Sequence, residues 1–234
     1  MSLIVQVQDQ AFQAMLIASI ETFPTSYLPL ETGKQKCLKN KRHDGEAMGL
    51  LFGQRLVKGE HLVFNVSLAV TMQATKRASD GVKYSRFHFE RIREITESFP
   101  NLEFLGAFHS HPWAKNDYNQ RATEPSDDDE ATAIEAAHEY GDELLEIILG
   151  ITALTRNNYR NAKAEGHSIN SYCGRYKYRL SSYCTIGAVE DKNCSDFPNI
   201  EHSDLDPMEN HVRALWPIDQ LICPLAAHGG AIFS

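Results

Sequence analysis

A chain of 234 residues, 42% apolar and 23% charged, belongs to the ordinary globular class and is long enough to bury one substantial core. Its formal charge of -8 argues against a general nucleic-acid-binding surface, which needs clustered lysine and arginine. Met1 to Gln10 shows no basic-then-apolar leader, and no apolar run is long enough to span a bilayer, so a cytoplasmic protein without membrane contact is expected. Cys37, Cys173, Cys184, Cys194 and Cys223 are widely spaced with no Cys-x-x-Cys pair, which predicts reduced thiols. A second zinc site from the last four would lack the paired short spacing such sites show.

Leu3 to Val7 reads as an opening strand, and Asp9 as the cap of a helix with Phe12, Met15, Leu16, Ser19 and Ile20 on one face, ended by Pro24. Residues 21–43 lack periodicity and carry Lys34, Lys36, Lys39, Lys41 and Arg42. They are expected to form an insertion, either a substrate-contacting lid or a solvated loop. Glu46 to Gln54 and His61 to Val70 predict a hairpin around Lys58-Gly59, with Leu62, Phe64, Val66, Leu68 and Val70 alternating. Thr71 to Lys83 is polar, with a turn signal at Asp80-Gly81. Ser85 to Phe99 is helical, its apolar face formed by Phe89, Ile92 and Phe99, and Pro100 stops it.

Leu102 to Phe108 is a short apolar run read as a buried strand, closed by Pro112. Ser126 then opens a helix in which Ala131, Ile134, Ala137 and His138 recur at helical intervals up to Gly141. Leu144 to Ala153 has the composition of a central strand, and Tyr176, Tyr178 and Leu180 alternate with Lys177 and Arg179 in one more. From Glu190 onward the pattern is irregular, with a short helix within Asp206 to Trp216. Gly229-Gly230 looks like a ubiquitin-like tail but reads as loop. The succession of helix, hairpin, helix, strand, helix and strand implies an α/β (α+β) fold, a mixed sheet flanked by helices.

The chemistry concentrates at His109-Ser110-His111-Pro112. Alternate residues of a strand share a face, so both imidazoles reach one ion. Ser126 and Asp129 have capping-box spacing, which sets Asp129 on the first turn of a rigid helix; Asp127 and Asp128 stand beside it as alternative ligands. Two imidazoles and one carboxylate leave zinc an open position, the mark of a catalytic centre. A hydrolytic water there needs a base, and Glu46, heading an apolar strand, is the candidate. A His-x-His pair also occurs in cupins, metallo-β-lactamase-like hydrolases and iron oxygenases, so Glu46 and Pro125-Ser126-x-x-Asp129 choose among them.

Glu46 with Gly49-Leu50-Leu51-Phe52-Gly53, then Gly106-x-x-His109-Ser110-His111-Pro112, then Pro125-Ser126-x-x-Asp129, resembles the JAMM (JAB/MPN-plus, Mov34) zinc metalloprotease motif part for part. The resemblance covers roughly residues 46 to 153, with one departure: 17 residues separate His111 from Asp129, and the family usually makes that step in a shorter loop. It implies an MPN/JAB-like, cytidine-deaminase-like domain over 1–186, with the insertion 21–43, an enlarged active-site loop 113–124, and an irregular C-terminal extension, 187–234, packed on the same domain. It further implies one catalytic Zn2+ on His109, His111 and Asp129, Glu46 as the base, and Ser126 holding the developing oxyanion. The implied substrate is a ubiquitin or ubiquitin-like protein cut after its C-terminal glycine, as in bacterial conjugation or antiphage systems, with an activating protein partner. Trp113, Tyr118 and Arg121 of the enlarged loop are the candidate substrate contacts. Competing readings are a non-catalytic MPN scaffold, a RadC-like DNA-associated protein and an iron oxygenase.

Overall fold

Continuous and alternating apolar runs build one mixed sheet, which the computed structural model describes over residues 2–29, 45–72, 75–78, 81–141, 143–158, 160–187 and 213–227. Strand β1 (Ser2–Val7) leads into helix α1 (Asp9–Glu21), and a long hairpin, β2 (Met48–Lys58) and β3 (His61–Thr71), follows. A small separate hairpin joins β4 (Thr75–Ala78) to β5 (Gly81–Tyr84). Helix α2 (Arg86–Glu97), strand β6 (Glu103–Trp113), helix α3 (Asp127–Tyr140) and strand β7 (Leu145–Ala153) form the centre. Strands β8 (Lys163–Glu165), β9 (Ser168–Cys173), β10 (Tyr176–Gly187), β11 (Arg213–Pro217) and β12 (Gln220–Ile222) and helix α4 (Pro224–Ala227) complete the chain. The sheet runs β12-β1-β3-β2-β6-β7-β10-β9-β8, with β11 also pairing β10. Strands β6 and β7 run parallel at its middle.

Helices cover both faces. On one, Phe12 and Met15 of α1 and Ala226 of α4 pack on Phe64, Phe108, Leu149 and Tyr178 of the sheet. On the other, Phe89 of α2 and Tyr140 of α3 close on Phe52 and Phe104, their rings stacked or edge-on at 5.0–5.9 Å. Burying one such ring contributes roughly 1.5–3 kcal/mol. Two shifts of register decide which side chains meet which layer. Phe52 pairs with Leu68 but Gly53 with Val66, so Ser67 is an extra residue and the alternation of β3 changes phase. Leu62, Phe64 and Val66 therefore join Ala69 on the α1 side, while Leu68 and Val70 face α2. In β6 the pairing passes from Gly106 to Phe104, leaving Leu105 extra beside Gly106 at φ +142.

The expected opening strand, hairpin, α2, α3 and central strand are present; several details differ. Gln8 occupies the cap of α1, and the Asp9 carboxylate instead accepts a hydrogen bond from the Leu225 N–H of α4. Phe99 is exposed, and Thr96 takes its expected place inside. On α3 the expected Ala137 is buried, joined by Ala133, whereas Ala131 and His138 are exposed and Ile134 is half-buried. Strand β6 runs through Pro112 to Trp113, because Pro112 lies in the parallel ladder opposite Ile151. Arg213–Pro217 is a strand where a short helix was expected, and β12 and α4 occupy a stretch that showed no pattern. Most of the basic insertion, and Gly229-Gly230, lie outside the described residues. Cys173, Cys184 and Cys223 are free thiols. Among the described residues no helix is long and apolar enough to cross a membrane.

Candidate metal centre

Phe104 packs against Tyr140 of α3, and His109 approaches Asp129 of the same helix. An even and an odd residue of one strand can share a face only across a one-residue shift, and the bulge at Leu105-Gly106 supplies it. Gly106 is obligatory there: a Cβ would lie 2.0 Å from the Leu145 carbonyl oxygen, at a φ that side-chain-bearing residues avoid. The bulge thereby turns His109 and His111 away from the α1 layer and towards α3.

Helix α3 aims the third group. Ser126 Oγ accepts the Asp129 N–H at 3.2 Å, and Asp129 Oδ2 accepts both the Ser126 N–H and its hydroxyl at 2.8 Å. This full capping box locks the carboxylate in one orientation. His109 Nε2 lies 3.4 Å from Asp129 Oδ1, His111 Nε2 lies 3.5 Å from Oδ2, and the two Nε2 atoms are 2.9 Å apart. Asp127 and Asp128 are not part of this group.

Both imidazoles are braced from behind. Glu146 of β7 accepts from His109 Nδ1 at 2.6 Å, and the Ala122 carbonyl accepts a hydrogen bond from His111. Each ring is thus left with Nε2 facing the centre, the arrangement that orients metal-ligating histidines. Burial disfavours charge on His109, but hydrogen bonds to Asp129 and Glu146 outweigh it and raise its pKa well above the ordinary value. Burial also lowers the His111 pKa, and the neighbouring His109 charge adds to that effect. At Asp129 burial opposes ionisation, yet the hydrogen bonds from both histidines hold its pKa far below the carboxylate range.

The donor set fits a metal ion. Each of the three residues offers one ligand atom, and these atoms lie within 4.8 Å of one another. His109, His111 and Asp129 together can hold an ion. Glu46, buried, precedes Ala47, whose carbonyl accepts the Ser110 N–H at 2.8 Å and whose N–H donates to Ser110 Oγ at 2.8 Å. Glu46 thus lies one residue beyond the contact with Ser110, which stands between the two histidines.

Glu146 is the residue that sequence reasoning missed; a lone carboxylate inside an otherwise buried apolar strand was its signal. Gly150 is the second. A Cβ there would stand 2.5 Å from the Ala122 carbonyl oxygen, so its bare backbone lets the 113–124 loop settle onto the sheet. Trp113 donates its indole N–H to that same carbonyl at 3.1 Å, Tyr183 O–H donates to the Thr123 carbonyl, and Thr123 Oγ1 meets Ser181 Oγ. Trp113 thus holds the loop in place. Tyr118 lines a neighbouring pocket, and Arg121 is exposed beside Glu124. No family model matches the sequence, and no curated protein matches it.

Proposed function

We propose that the chain is a zinc-dependent metallopeptidase of the JAMM type. It would hydrolyse the isopeptide or peptide bond after the C-terminal glycine of a ubiquitin-like protein, in the cytoplasm and with an MPN/JAB-like core. The observation that carries this reading is the meeting of His109, His111 and Asp129 at one point, with Ser126 on the capping box and buried Glu46 two residues before β2. Mixed α and β layers and the free thiols are compatible with it.

A zinc ion held by His109, His111 and Asp129 would supply Lewis acidity towards the scissile carbonyl and its attacking water. Glu46 takes the proton of that water and returns it to the departing amine. Ser126 Oγ donates towards the developing oxyanion, for which it must give up its bond to Asp129 Oδ2. Glu146 and the Ala122 carbonyl keep the rings from turning while the reaction proceeds.

The test is metal content by mass spectrometry beside cleavage of a ubiquitin-like protein bearing a C-terminal extension. Wild type is expected to carry about one zinc per chain and to cleave. His111→Ala should lose both, and Glu46→Gln should keep the metal and lose cleavage. A wild type that binds zinc and cuts none of the extended proteins would favour a scaffold role, and an active Glu46→Gln would remove Glu46 from the chemistry.

A further inference from the structure

The pairing carries one row of residues outward from the metal centre on a single face of the sheet. His111 is opposite Gly150, Gly150 opposite Arg179, Arg179 opposite Asn170, and Asn170 opposite Lys163. The next row runs Trp113, Thr152, Lys177 and Tyr172. The outer parts of these rows floor a pocket of about 420 Å³, walled by Tyr118, Asn119 and Gln120 of the loop whose Ala122 carbonyl meets His111. Arg160, Lys163, Lys177 and Arg179 line it, against a single carboxylate, Glu165, which is paired with Lys163. In a chain of formal charge -8 this concentration of cations is local and opposite to the whole.

The donors here are not used up by the fold. Arg179 gives one N–H to Ser168 Oγ at 2.8 Å, but its buried Nε has no hydrogen-bond partner among the described residues, and neither has the buried Tyr118 hydroxyl. Lys177 Nζ sits 4.5 Å over the Tyr118 ring, and burial together with nearby Arg160 lowers its pKa. Buried donors without acceptors are unfavourable, and exposed Arg160 on the same pocket offers charge-assisted hydrogen bonds to an incoming carboxylate. We propose that this pocket binds an acidic segment of the polypeptide cut at the metal centre, its carboxylates received by Arg179, Lys177, Lys163 and Arg160. The proposal rests on the hydrolase reading for its substrate, though not for its geometry. Arg179 is two strands from His111, about 10 Å, which about three extended residues span. An Asp or Glu about three residues from the scissile bond therefore reaches Arg179.

The experiment is calorimetric titration of the full chain with an end-blocked peptide of alternating glycine and glutamate, and separately with inorganic phosphate. The peptide should bind wild type, and about tenfold or more weaker to Arg179→Gln and to Arg160→Glu. Arg160 is exposed, so its variant guards against misreading an unfolded Arg179→Gln. No peptide binding by wild type, or binding undiminished in both variants, overturns the proposal. Phosphate that binds more tightly and displaces the peptide also overturns it, in favour of a small-oxyanion site. The hydrolase reading fails on other readouts, metal content and cleavage, so the two failures are told apart.

Discussion

Two ends of one cross-strand row are built on opposite plans. At the metal centre each ligand is held by a second contact: His109 by Glu146, His111 by the Ala122 carbonyl and Asp129 by Ser126. At the basic pocket the Arg179 Nε and the Tyr118 hydroxyl have no hydrogen-bond partner among the described residues. The difference fits the use proposed for each end. A metal requires ligands fixed in advance, because a loose set forfeits affinity. A polypeptide that arrives with its own carboxylates needs donors in reserve.

The sharpest way to break the comparison is at the braced end. Asp129→Ala removes a ligand and half of a capping box, and should lower zinc affinity by well over the roughly 100-fold that loss of an outer partner causes. Competition with a chelator measures it. Glu146→Ala should lower zinc affinity by about 10–100-fold, while Glu146→Gln recovers part of that, since its amide oxygen still accepts from His109 Nδ1. Equal affinity in wild type and Glu146→Ala would show that the ring needs no brace.

Gly150→Ala sharpens the contrast by disturbing the loop shared between the two ends. The new methyl meets backbone at 2.5 Å, so the Ala122 carbonyl must retreat from His111 and Trp113. A loss of about 1–3 kcal/mol in urea unfolding is expected, with weakened zinc binding. Unchanged stability would mean the loop moves freely.

The smallest effect is in pH. Hydrogen bonds to Asp129 and Glu146 raise the His109 pKa against its burial, above the ordinary 6.5. The stability this protonation lends to the metal-free protein is complete below 6.5 and fades as pH rises through the higher folded value. Zinc must displace the same proton, so its affinity should rise by up to about tenfold per pH unit until His109 deprotonates. A pH-independent affinity would show that the cluster holds no proton.

Most of what identifies the centre is local in the chain. The His109–His111 spacing, the Ser126–Asp129 cap and the apolar strands on either side follow from two-residue and helical periods, which neighbouring residues set among themselves. Those periods found Ala137 on the buried face of α3 but missed Ala133, because the partner layer, not the sequence spacing, selects which neighbours go inside. The short strands β8, β9, β11 and β12 escaped notice because each is held by its neighbour in the sheet rather than by its own composition.

By itself, then, the sequence determined the ligand types, their spacing and the rigid elements that present them. Only the tertiary structure decided that Leu105-Gly106 turns the histidines towards α3, that Glu146 stands behind His109, and that Gly150 receives Ala122. It alone assembled four cations from β8, β10 and the segments beside them. The physical reason is that register and crossing between strands distant in the chain are set by packing over the whole sheet, which no local period records.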